Sequence, residues 1–429
     1  MIDPTPFEGK ALQAITLPPA AITAYEGSIR SGKTFTSLVE WIRYCRTGPP
    51  GMLLIAGRTE RTILNNIVQP LQDMLGPRRV AINRGLGTVS LLGRTVLMVG
   101  ANNEASRTKI QGLTLAGAYV DEAGTLPESF FSMLVSRLSV AGARLWLTSN
   151  PESPSHWLKT KWLDRARIWV DRNGAVHHKP DFDPDRDPDI HRVSWALEDN
   201  TTLPPDYVRN TKAMYTGLWY RRYILGEWVA AEGAIYDMWD PDRHVVHDLP
   251  PMARHLGVGV DYGTTNATAG ILLGLSAEPR PRLYLLDEWR YDPATARLRL
   301  TDGQLSAGLR EWMGGRQDPR VEWVLVDPAA ASLKVQLHAD GARNVTDADN
   351  DVAYGIRTVA SLLGTGDLLV SDRCTGLIRE IPGYSWDPKA TEKGEDKPIK
   401  VADHSLDAAR YAVATTESVW RPLLTRSAA

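Results

Sequence analysis

Short apolar runs rich in β-branched residues alternate with longer amphipathic segments between residues 21 and 150. The candidate strands in this region are AITAY, MLLIAG, TVLMVG, LAGAYV and ARLWLTSN. Segments such as Phe35 to Cys45 place apolar residues at helical spacing, so we expect them to cover a sheet as crossover helices. This alternation predicts an α/β domain built on a parallel sheet.

The pattern changes twice after residue 150. Between about 151 and 232 it loosens: DFDPDRDPD (Asp181 to Asp189) predicts a loop, and a helical stretch rich in Trp and Tyr follows. A second set of strands then appears, with the sequences HLGVGVDYG, AGILLGL, RLYLLDEW and WVLVDPAA. The first of these predict an antiparallel meander, followed by a helix and a parallel strand. We therefore predict one domain at 1–232, with a lid or linker at about 151–232, and a second at 233–429.

Length and composition agree with two domains and exclude several protein classes. The chain has 429 residues, of which 43% are hydrophobic, enough for two cores of ordinary size. The sequence has no stretch typical of a signal peptide or membrane span, so we expect a protein of the cytoplasm. Cys45 and Cys374 lie far apart, which argues against a disulfide framework or structural zinc.

The charge balance bears on nucleic-acid binding. A formal net charge of -2 argues against a tight nonspecific DNA coat but leaves DNA open as a substrate. Basic residues are dense in Lys159 to Arg167 and in Arg209 to Arg222. Each run is interpreted either as a solvated helix face or as a DNA contact.

A glycine-containing phosphate loop is the clearest motif. GSIRSGKT follows the strand AITAY and opens the helix at Phe35, which is the strand-to-helix context that GxxxxGK[ST] requires. Backbone N–H groups of the loop face the phosphates, Lys33 reaches the β- and γ-phosphates, and Thr34 ligates Mg²⁺. The predicted ATP-binding residues of the loop are Gly27, Ser28, Ile29, Arg30, Ser31, Gly32, Lys33 and Thr34.

Polar residues at two later strand ends extend this site. LAGAYV ends in Asp121 and Glu122, which predicts a carboxylate for the Mg²⁺ shell and a second one to polarise the attacking water. ARLWLTSN supplies Thr148 and Asn150, interpreted as sensors of the γ-phosphate or as a simple polar strand end.

Two arginines are candidates for stabilising charge in the transition state. Arg30 lies inside the phosphate loop and Arg107 lies ahead of the LAGAYV strand. Each is also compatible with a surface arginine.

The second half carries a set of acidic residues at the ends of predicted elements. Asp261 ends LGVGV, Asp327 ends EWVLV, and Asp403, His404 and Asp407 lie in the helical segment VADHSLDAARYAV. The adjacent hairpin-like strands resemble the start of a ribonuclease H-like fold. Carboxylates on two strand ends and one helix suit a two-metal phosphodiesterase site with Mg²⁺ or Mn²⁺, because hard cations prefer oxygen ligands.

Taken together, these stretches resemble large terminase subunits of tailed bacteriophages or prophages over nearly the whole chain. The stretches that carry the resemblance are GSIRSGKT, the strand running into DEAG, LTSNP, ILGEWVAAEGAIY, VDYG, LVDPAA and GYSWDP…KVADHSLDAARYAV. One departure stands at the start of the phosphate loop, where Glu26 precedes Gly27 and the family favours a Gly-Gly pair.

The resemblance implies a fold, an activity and partners. It implies an ATPase of the additional-strand (ASCE) type, followed by a ribonuclease H-like nuclease in which Asp261, Asp327 and Asp407 are metal ligands and Asp403 and His404 are accessory. It also implies packaging of double-stranded DNA through the portal protein, with cutting of concatemeric DNA at the start and end. The small terminase subunit is an implied partner, and a pentameric ring at the portal vertex of the procapsid in the host cytoplasm is the implied assembly.

Three other interpretations stay open at this point. A nucleic-acid translocase or helicase-like motor without nuclease activity keeps the phosphate loop and lets the second half only grip DNA. A non-enzymatic capsid-vertex or DNA-binding component has a degenerate nucleotide fold. A resolvase or integrase of the ribonuclease H type explains the acidic set but leaves GSIRSGKT and DEAG without a role.

Overall fold

The structure is a computed structural model and describes residues 7–263, 266–293, 296, 299–315 and 319–425. Its contacts divide the chain into two compact units. Unit 1 comprises Met1–Arg209, Leu218–Ala230 and Glu392–Glu395, and unit 2 comprises Asn210–Gly217, Ala231–Thr391 and Asp396–Ala429. The domain boundary at residue 232 remains a prediction about independent folding.

The described strands of unit 1 form one ten-stranded sheet. They are β1 (Ile22–Gly27), β2 (Met52–Gly57), β3 (Val80–Asn83), β4 (Thr88–Leu91), β5 (Arg94–Gly100), β6 (Leu115–Val120), β7 (Arg144–Ser149), β8 (Ile168–Val170), β9 (Val176–His178) and β10 (Ile190–Trp195). Their order is β3-β4-β5-β2-β6-β7-β1-β10-β8-β9. The strands from β5 to β8 in this order are parallel, whereas β3, β4 and β9 pair antiparallel at the edges. Since β7 lies between β1 and β6, the additional-strand arrangement is confirmed.

Helices connect these strands. The α-helices are α1 (Gly9–Thr16), α2 (Lys33–Thr47), α3 (Glu60–Ile63), α4 (Gln69–Leu75), α5 (Glu128–Arg137), α6 (Trp157–Lys161), α7 (Pro205–Ala213) and α8 (Gly217–Trp219). Two π-helical segments, Leu64–Val68 and Tyr220–Ile224, continue α3 and α8. Short 3₁₀ turns lie at Glu104–Ile110, Ala123–Thr125, Leu163–Arg165 and Leu197–Asp199.

Both faces of the unit 1 sheet are buried. Successive residues of one strand enter two different apolar clusters: Tyr25 and Ile55 belong to one, and Ala24 and Leu54 belong to the other. Helix α2 contributes Trp41 to the first cluster, where it stacks on Tyr44. Burial on both faces explains why the strands are continuous apolar runs in the sequence.

The described strands of unit 2 form a seven-stranded sheet. Its strands are β11 (Val245–Val246), β12 (Met252–Asp261), β13 (Thr268–Ser276), β14 (Leu283–Tyr291), β15 (Val324–Val326), β16 (Val345–Asp347) and β17 (Leu368–Ser371). Their order is β11-β17-β14-β13-β12-β15-β16. β12, β13 and β14 form the antiparallel meander, and β15 pairs parallel with β12. The run β14-β13-β12-β15-β16 is the strand order of a ribonuclease H-like fold, so that fold class is confirmed.

The helices of unit 2 cover this sheet. They are α9 (Pro241–His244), α10 (Asp302–Gly314), α11 (Ala331–Ala339), α12 (Val352–Thr365), α13 (Thr375–Glu380), α14 (Pro388–Glu392), α15 (His404–Thr415) and α16 (Glu417–Thr425), with a 3₁₀ turn at Ile381–Gly383. Helix α15 packs against β12 and β13 and is buried along almost its whole length. The helix predicted at VADHSLDAARYAV is therefore present.

Within the described ranges, no helix combines the length and the apolar character needed to cross a lipid bilayer.

Candidate functional site

The phosphate loop joins β1 to α2, as its motif predicts. Gly27 has a φ of 129°, and a Cβ atom there would lie 2.7 Å from the backbone nitrogen of Trp195 and closer still to its carbonyl. Only glycine allows the loop to start so close to β10. Gly32 has a φ of 92° and precedes the first residue of α2, so the loop turns directly into the helix N-terminus. The backbone amides at such an end are suited to bind phosphate.

Lys33 lies buried at the start of α2. Its ammonium donates to the Ser28 carbonyl at 2.8 Å and to Asn150 Oδ1 at 2.9 Å. Burial lowers the pKa of Lys33 to about 8, against the opposing effect of the Glu122 and Asp121 carboxylates. Asn150, interpreted from the sequence as a sensor or a simple polar strand end, thus directly contacts the lysine of the predicted phosphate loop.

Asp121 and Thr148 meet because β6 and β7 are adjacent parallel strands. Thr148 Oγ1 donates to Asp121 Oδ1 at 2.9 Å and accepts from the Glu122 amide at 3.1 Å. Asn66 Nδ2 donates to the other oxygen of Asp121 at 3.0 Å. Burial raises the pKa of Asp121, and these hydrogen bonds oppose the shift. The carboxylate is therefore fixed in place.

Glu122 has a left-handed backbone with a φ of 48°, and Arg30 in the phosphate loop has a φ of 55°. Left-handed non-glycine residues store backbone strain and are concentrated at functional sites. Both side chains line one cavity of about 390 Å³. That volume lies in the range of small-molecule sites.

The cavity brings together seven of the predicted nucleotide-site residues and adds new ones, whereas Gly27, Ser28, Ile29, Ser31 and Gly32 are not among its lining residues. Its lining is Arg30, Lys33, Thr34, Phe35, Leu38, Asn65, Asn66, Pro70, Met74, Asp121, Glu122, Thr148 and Asn150. Arg107 does not line it; this residue is exposed on the 3₁₀ turn Glu104–Ile110. Asn65 and Asn66 were missed because they lie in a π-helical segment, whose register a helical periodicity does not reveal.

Glu26, which departs from the family pattern, has a defined role in the structure. It is buried in β1 and accepts from Arg192 Nε at 2.9 Å and from Trp228 Nε1 at 2.9 Å, with Ser194 Oγ as a third donor. A buried carboxylate needs such partners. Glu26 therefore ties the strand before the phosphate loop to β10 and to the segment after the second π-helical turn.

That second π-helical segment also contacts the phosphate loop. The Ile29 amide donates to the Tyr223 carbonyl at 3.0 Å, and Ser28 Oγ donates to the same oxygen at 2.6 Å. Arg222 is fully buried beside it and donates to the Val229 carbonyl at 3.0 Å. The sequence predicted a helical stretch here, rich in Trp and Tyr and basic from Arg209 to Arg222, but nothing in it indicated the contact with the loop.

In unit 2, Asp261 and Asp327 lie side by side. Val260 pairs with Val326 in the parallel β12–β15 ladder, and the Asp327 amide donates to the Val260 carbonyl at 3.1 Å. The two aspartates therefore leave adjacent strands at the same edge of the sheet. Burial raises the pKa of Asp261, His404 opposes the shift, and the Asp407 carboxylate adds to it.

Helix α15 reaches this edge by crossing β12 at a glycine. A Cβ atom on Gly259 would lie 2.7 Å from the Ala412 nitrogen and closer still to the Ala408 carbonyl. This contact sets His404 Nδ1 2.9 Å from Asp261 Oδ2. The hydrogen bond to Asp261 raises the pKa of His404.

The helix begins at His404, so Asp403, predicted within the helical segment, is its N-cap residue, and Asp407 lies on its first turn. Both are buried and share a cation. Lys400 Nζ lies 3.1 Å from Asp403 Oδ2 and 2.8 Å from Asp407 Oδ2. Arg410 Nη2 lies 3.0 Å from the other oxygen of Asp407. The structure thus places Asp261, Asp327, Asp403, His404 and Asp407 in one region, and it adds the unpredicted Lys400.

These residues have the chemistry of a divalent-ion site without a preformed geometry. The carboxylates are buried oxygen donors, and a positive charge already lies between two of them in the form of the Lys400 ammonium. As the side chains stand, no group of three acidic, imidazole or thiol ligands in the described residues is arranged to hold an ion. The donors fit Mg²⁺ or Mn²⁺, and Lys400 already contacts both Asp403 and Asp407, with Arg410 as a second cation at Asp407.

A second layer of glutamates fixes the start of α15. Glu380 Oε2 accepts from the Ser405 amide at 2.8 Å, and its other oxygen accepts from Arg290 Nη1 at 2.6 Å. Glu288 accepts from the Gly376 amide at 2.5 Å and from Ser405 Oγ. A carboxylate at a helix N-terminus is favoured by the free N–H groups there. These residues were not found from the sequence, because they lie in other elements.

Comparisons with known proteins agree with both halves of the molecule. A family model described as terminase large subunit, T4likevirus-type, N-terminal, matches residues 24–240. No curated protein matches the sequence significantly. Among solved structures, the large terminase from a thermophilic bacteriophage in complex with ADP is 35% identical, with a TM-score of 0.84, and the match covers 95% of this chain and 99% of that chain.

The same thermophilic-phage protein in complex with ATP-gamma-S is also 35% identical, with a TM-score of 0.83 over 96% of this chain and 99% of that chain. At this identity, and over almost the full length of both chains, the sequence similarity and the structural similarity indicate the same family. The chain therefore belongs to the bacteriophage large terminase subunits, the ATPase motors of viral DNA packaging.

Proposed function

We propose that this large terminase subunit hydrolyses Mg²⁺-bound ATP in unit 1 to move double-stranded DNA, and that unit 2 cuts this DNA at a divalent-ion site. The structures of the thermophilic-phage relative with ADP and ATP-gamma-S support a nucleotide in the unit 1 cavity.

In unit 1, the predicted residues that line the cavity can be given roles that agree with its geometry. Lys33 neutralises charge on the β- and γ-phosphates, and Thr34 and Asp121 would hold Mg²⁺, which supplies charge stabilisation on the transferred group. Glu122 accepts a proton from the attacking water. Asn150 leaves Lys33 when phosphate arrives, so the end of β7 responds to the nucleotide.

Arg30 is the candidate for stabilising transition-state charge within the chain, and Arg107, exposed outside the cavity, suits a role toward a neighbouring subunit.

In unit 2, the observation that carries the nuclease is the adjacency of Asp261 and Asp327 with α15 laid across Gly259. Asp261, Asp327 and Asp407 would hold the ions, with Asp403 and His404 accessory. Divalent ions bound there would activate water and stabilise charge on the scissile phosphate. His404 orients Asp261 through its 2.9 Å hydrogen bond. Two ions are the proposed number.

We further propose the assembly that this activity needs. The chain would form a pentameric ring on the portal vertex of the procapsid in the host cytoplasm, with the small terminase subunit choosing the DNA. A ring gives continuous contact with a double helix, and it leaves the nuclease free to act at the start and end of packaging.

The test separates the two activities in one full-length chain. Asp261→Asn and Asp327→Asn should lose nicking of supercoiled plasmid in Mn²⁺ by about 100-fold or more, as expected when a group that stabilises the transition state is removed, and keep ATP turnover. Lys33→Ala should lose ATP turnover and keep nicking. Asp248→Asn, an exposed aspartate of unit 2, is the matched control and should change neither.

Two results would reject parts of this proposal. If Asp261→Asn nicks plasmid at the rate of the unmodified chain, unit 2 is not a nuclease built on these carboxylates, and a motor without nuclease activity is the better description. If Lys33→Ala turns over ATP like the unmodified chain, the ATPase assignment of the unit 1 cavity is wrong.

A further inference from the structure

Lys400 lies in an unusual environment for a loop lysine. It is part of the short loop before α15, and its side chain is 55% exposed. Its ammonium nevertheless bridges Asp403 and Asp407, whose side chains are only 8% and 10% exposed. A lysine on a surface loop normally keeps its charge in water, because an exposed ion pair contributes little. The contacts of Lys400 differ from an exposed ion pair, because its ammonium lies between two buried carboxylates.

The oxygen atoms of Asp407 are both engaged by cations. Oδ2 is 2.8 Å from Lys400 Nζ, and Oδ1 is 3.0 Å from Arg410 Nη2. An ion that ligates Asp407 needs one of these oxygens without a cationic partner, since two positive charges repel each other at contact distance. Lys400 and a divalent ion therefore exclude each other at Asp407 Oδ2.

Lys400 is the partner that can leave. Arg410 is buried in α15, and its aliphatic stem fills the space that Gly355 of α12 leaves open. Lys400 lies in a loop whose neighbours Ile399 and Val401 are both exposed, the latter by 73%. Ala402, next in the loop, has a left-handed backbone with a φ of 50°. Moving the loop therefore costs little packing.

We propose that Lys400 is a built-in competitor of the divalent ion at the nuclease carboxylates. Without the ion, its ammonium balances the charge of Asp403 and Asp407, and the ion binds only as Lys400 leaves Asp407. The competition sets the ion concentration at which unit 2 cuts DNA. This inference rests on the proposed nuclease.

The experiment is a Mn²⁺ titration of the ion-free, full-length chain, with free Mn²⁺ measured by electron paramagnetic resonance. Lys400→Ala and Lys400→Gln should each bind Mn²⁺ about tenfold more tightly than the unmodified chain. Lys400→Arg keeps the charge and should bind no more tightly. Lys389→Ala removes an exposed lysine of α14 and should match the unmodified chain. Binding that remains in Asp261→Asn belongs to unit 1 and is subtracted.

Thermal unfolding supplies a second readout. Without Mn²⁺, Lys400→Gln should melt below the unmodified chain, because Asp403 loses the Lys400 ammonium and Asp407 keeps only Arg410. Mn²⁺ should raise the melting temperature of this variant by more than that of the unmodified chain. Equal Mn²⁺ affinity in Lys400→Gln and the unmodified chain, with Asp261→Asn abolishing the unit 2 site, would overturn the competition alone. Unchanged binding in Asp261→Asn would instead reject the ion site itself.

Discussion

Replacing Gly259 with alanine tests whether the helix–strand contact positions the carboxylates of the proposed nuclease site. Gly259 is the point at which α15 crosses β12, and an added Cβ atom would lie 2.7 Å from the Ala412 nitrogen. Ordinary van der Waals contact begins at about 3.5 Å, so the Ala412 nitrogen must retreat by roughly 1 Å, and the Ala408 carbonyl, which lies closer, must retreat further. The retreat carries Asp407 and His404 away from Asp261.

The expected magnitudes follow from this displacement. Overpacking of a well-packed core costs about 1–3 kcal/mol, and each kcal/mol lowers the melting temperature by about 2–4 °C in a domain of 150–250 residues. A displacement of about 1 Å in a catalytic group reduces a rate by about 100-fold. Gly259→Ala should therefore lose far more nuclease activity than its stability change implies.

The assay compares plasmid nicking in Mn²⁺, ATP turnover and thermal unfolding in the same preparation. ATP turnover should persist, because the phosphate loop belongs to unit 1. Gly314→Ala is the matched control: a Cβ atom there meets nothing within 4 Å, so nicking and melting temperature should stay unchanged or rise slightly. A Gly259→Ala chain that nicks DNA at the normal rate would refute the positioning argument.

Three further predictions concern unit 1. Thr148→Val keeps the shape of the side chain but removes the hydrogen bond to Asp121 Oδ1 and the hydroxyl that accepts from the Glu122 amide. We expect about 1–3 kcal/mol lower stability in denaturant unfolding and slower ATP turnover. An unchanged kcat would contradict this role. The pKa of Lys33 is lowered to about 8, and only its ammonium form attracts phosphate. ATP affinity, measured with a fluorescent ATP analogue, should therefore weaken about tenfold per pH unit above 8. An affinity that stays constant from pH 7 to 9.5 would count against this role of Lys33. Burial, aided by Arg167, lowers the pKa of His191 from 6.5 to about 4, so between these pH values the unfolded chain binds more protons and stability is lost as the pH falls. His191→Gln should therefore flatten the dependence of the melting temperature on pH in this window. A slope as steep as that of the unmodified chain would be the contrary result.

The local sequence pattern was sufficient to predict the strands that are buried on both faces of the sheet. MLLIAG and LAGAYV match β2 and β6 residue for residue, since a run buried on both faces is apolar throughout. The loosened segment from 151 to 232 was predicted as a lid or linker, and the structure finds β8, β9 and β10 in it. β10 was missed because His191 and Arg192 interrupt its apolar pattern, and only pairing with β1 makes it a strand.

The site residues likewise include some that the local sequence predicts and others that it does not. The phosphate loop is contiguous in sequence, so its glycines, Lys33 and Thr34 were predictable without coordinates. Asn66 and Tyr223 reach the same site from other elements, and nothing in the local sequence around them indicates that contact.

The sequence by itself determined the element types, the phosphate loop and the order of the acidic residues, because these depend on the spacing of neighbours along the chain. The tertiary structure alone decided which distant side chains meet. Asp261 and Asp327 become neighbours only through the parallel β12–β15 ladder, and Asp407 joins them because Gly259 admits α15. The Lys400 ammonium between Asp403 and Asp407 belongs to the same class, since a loop conformation and two buried charges place it there.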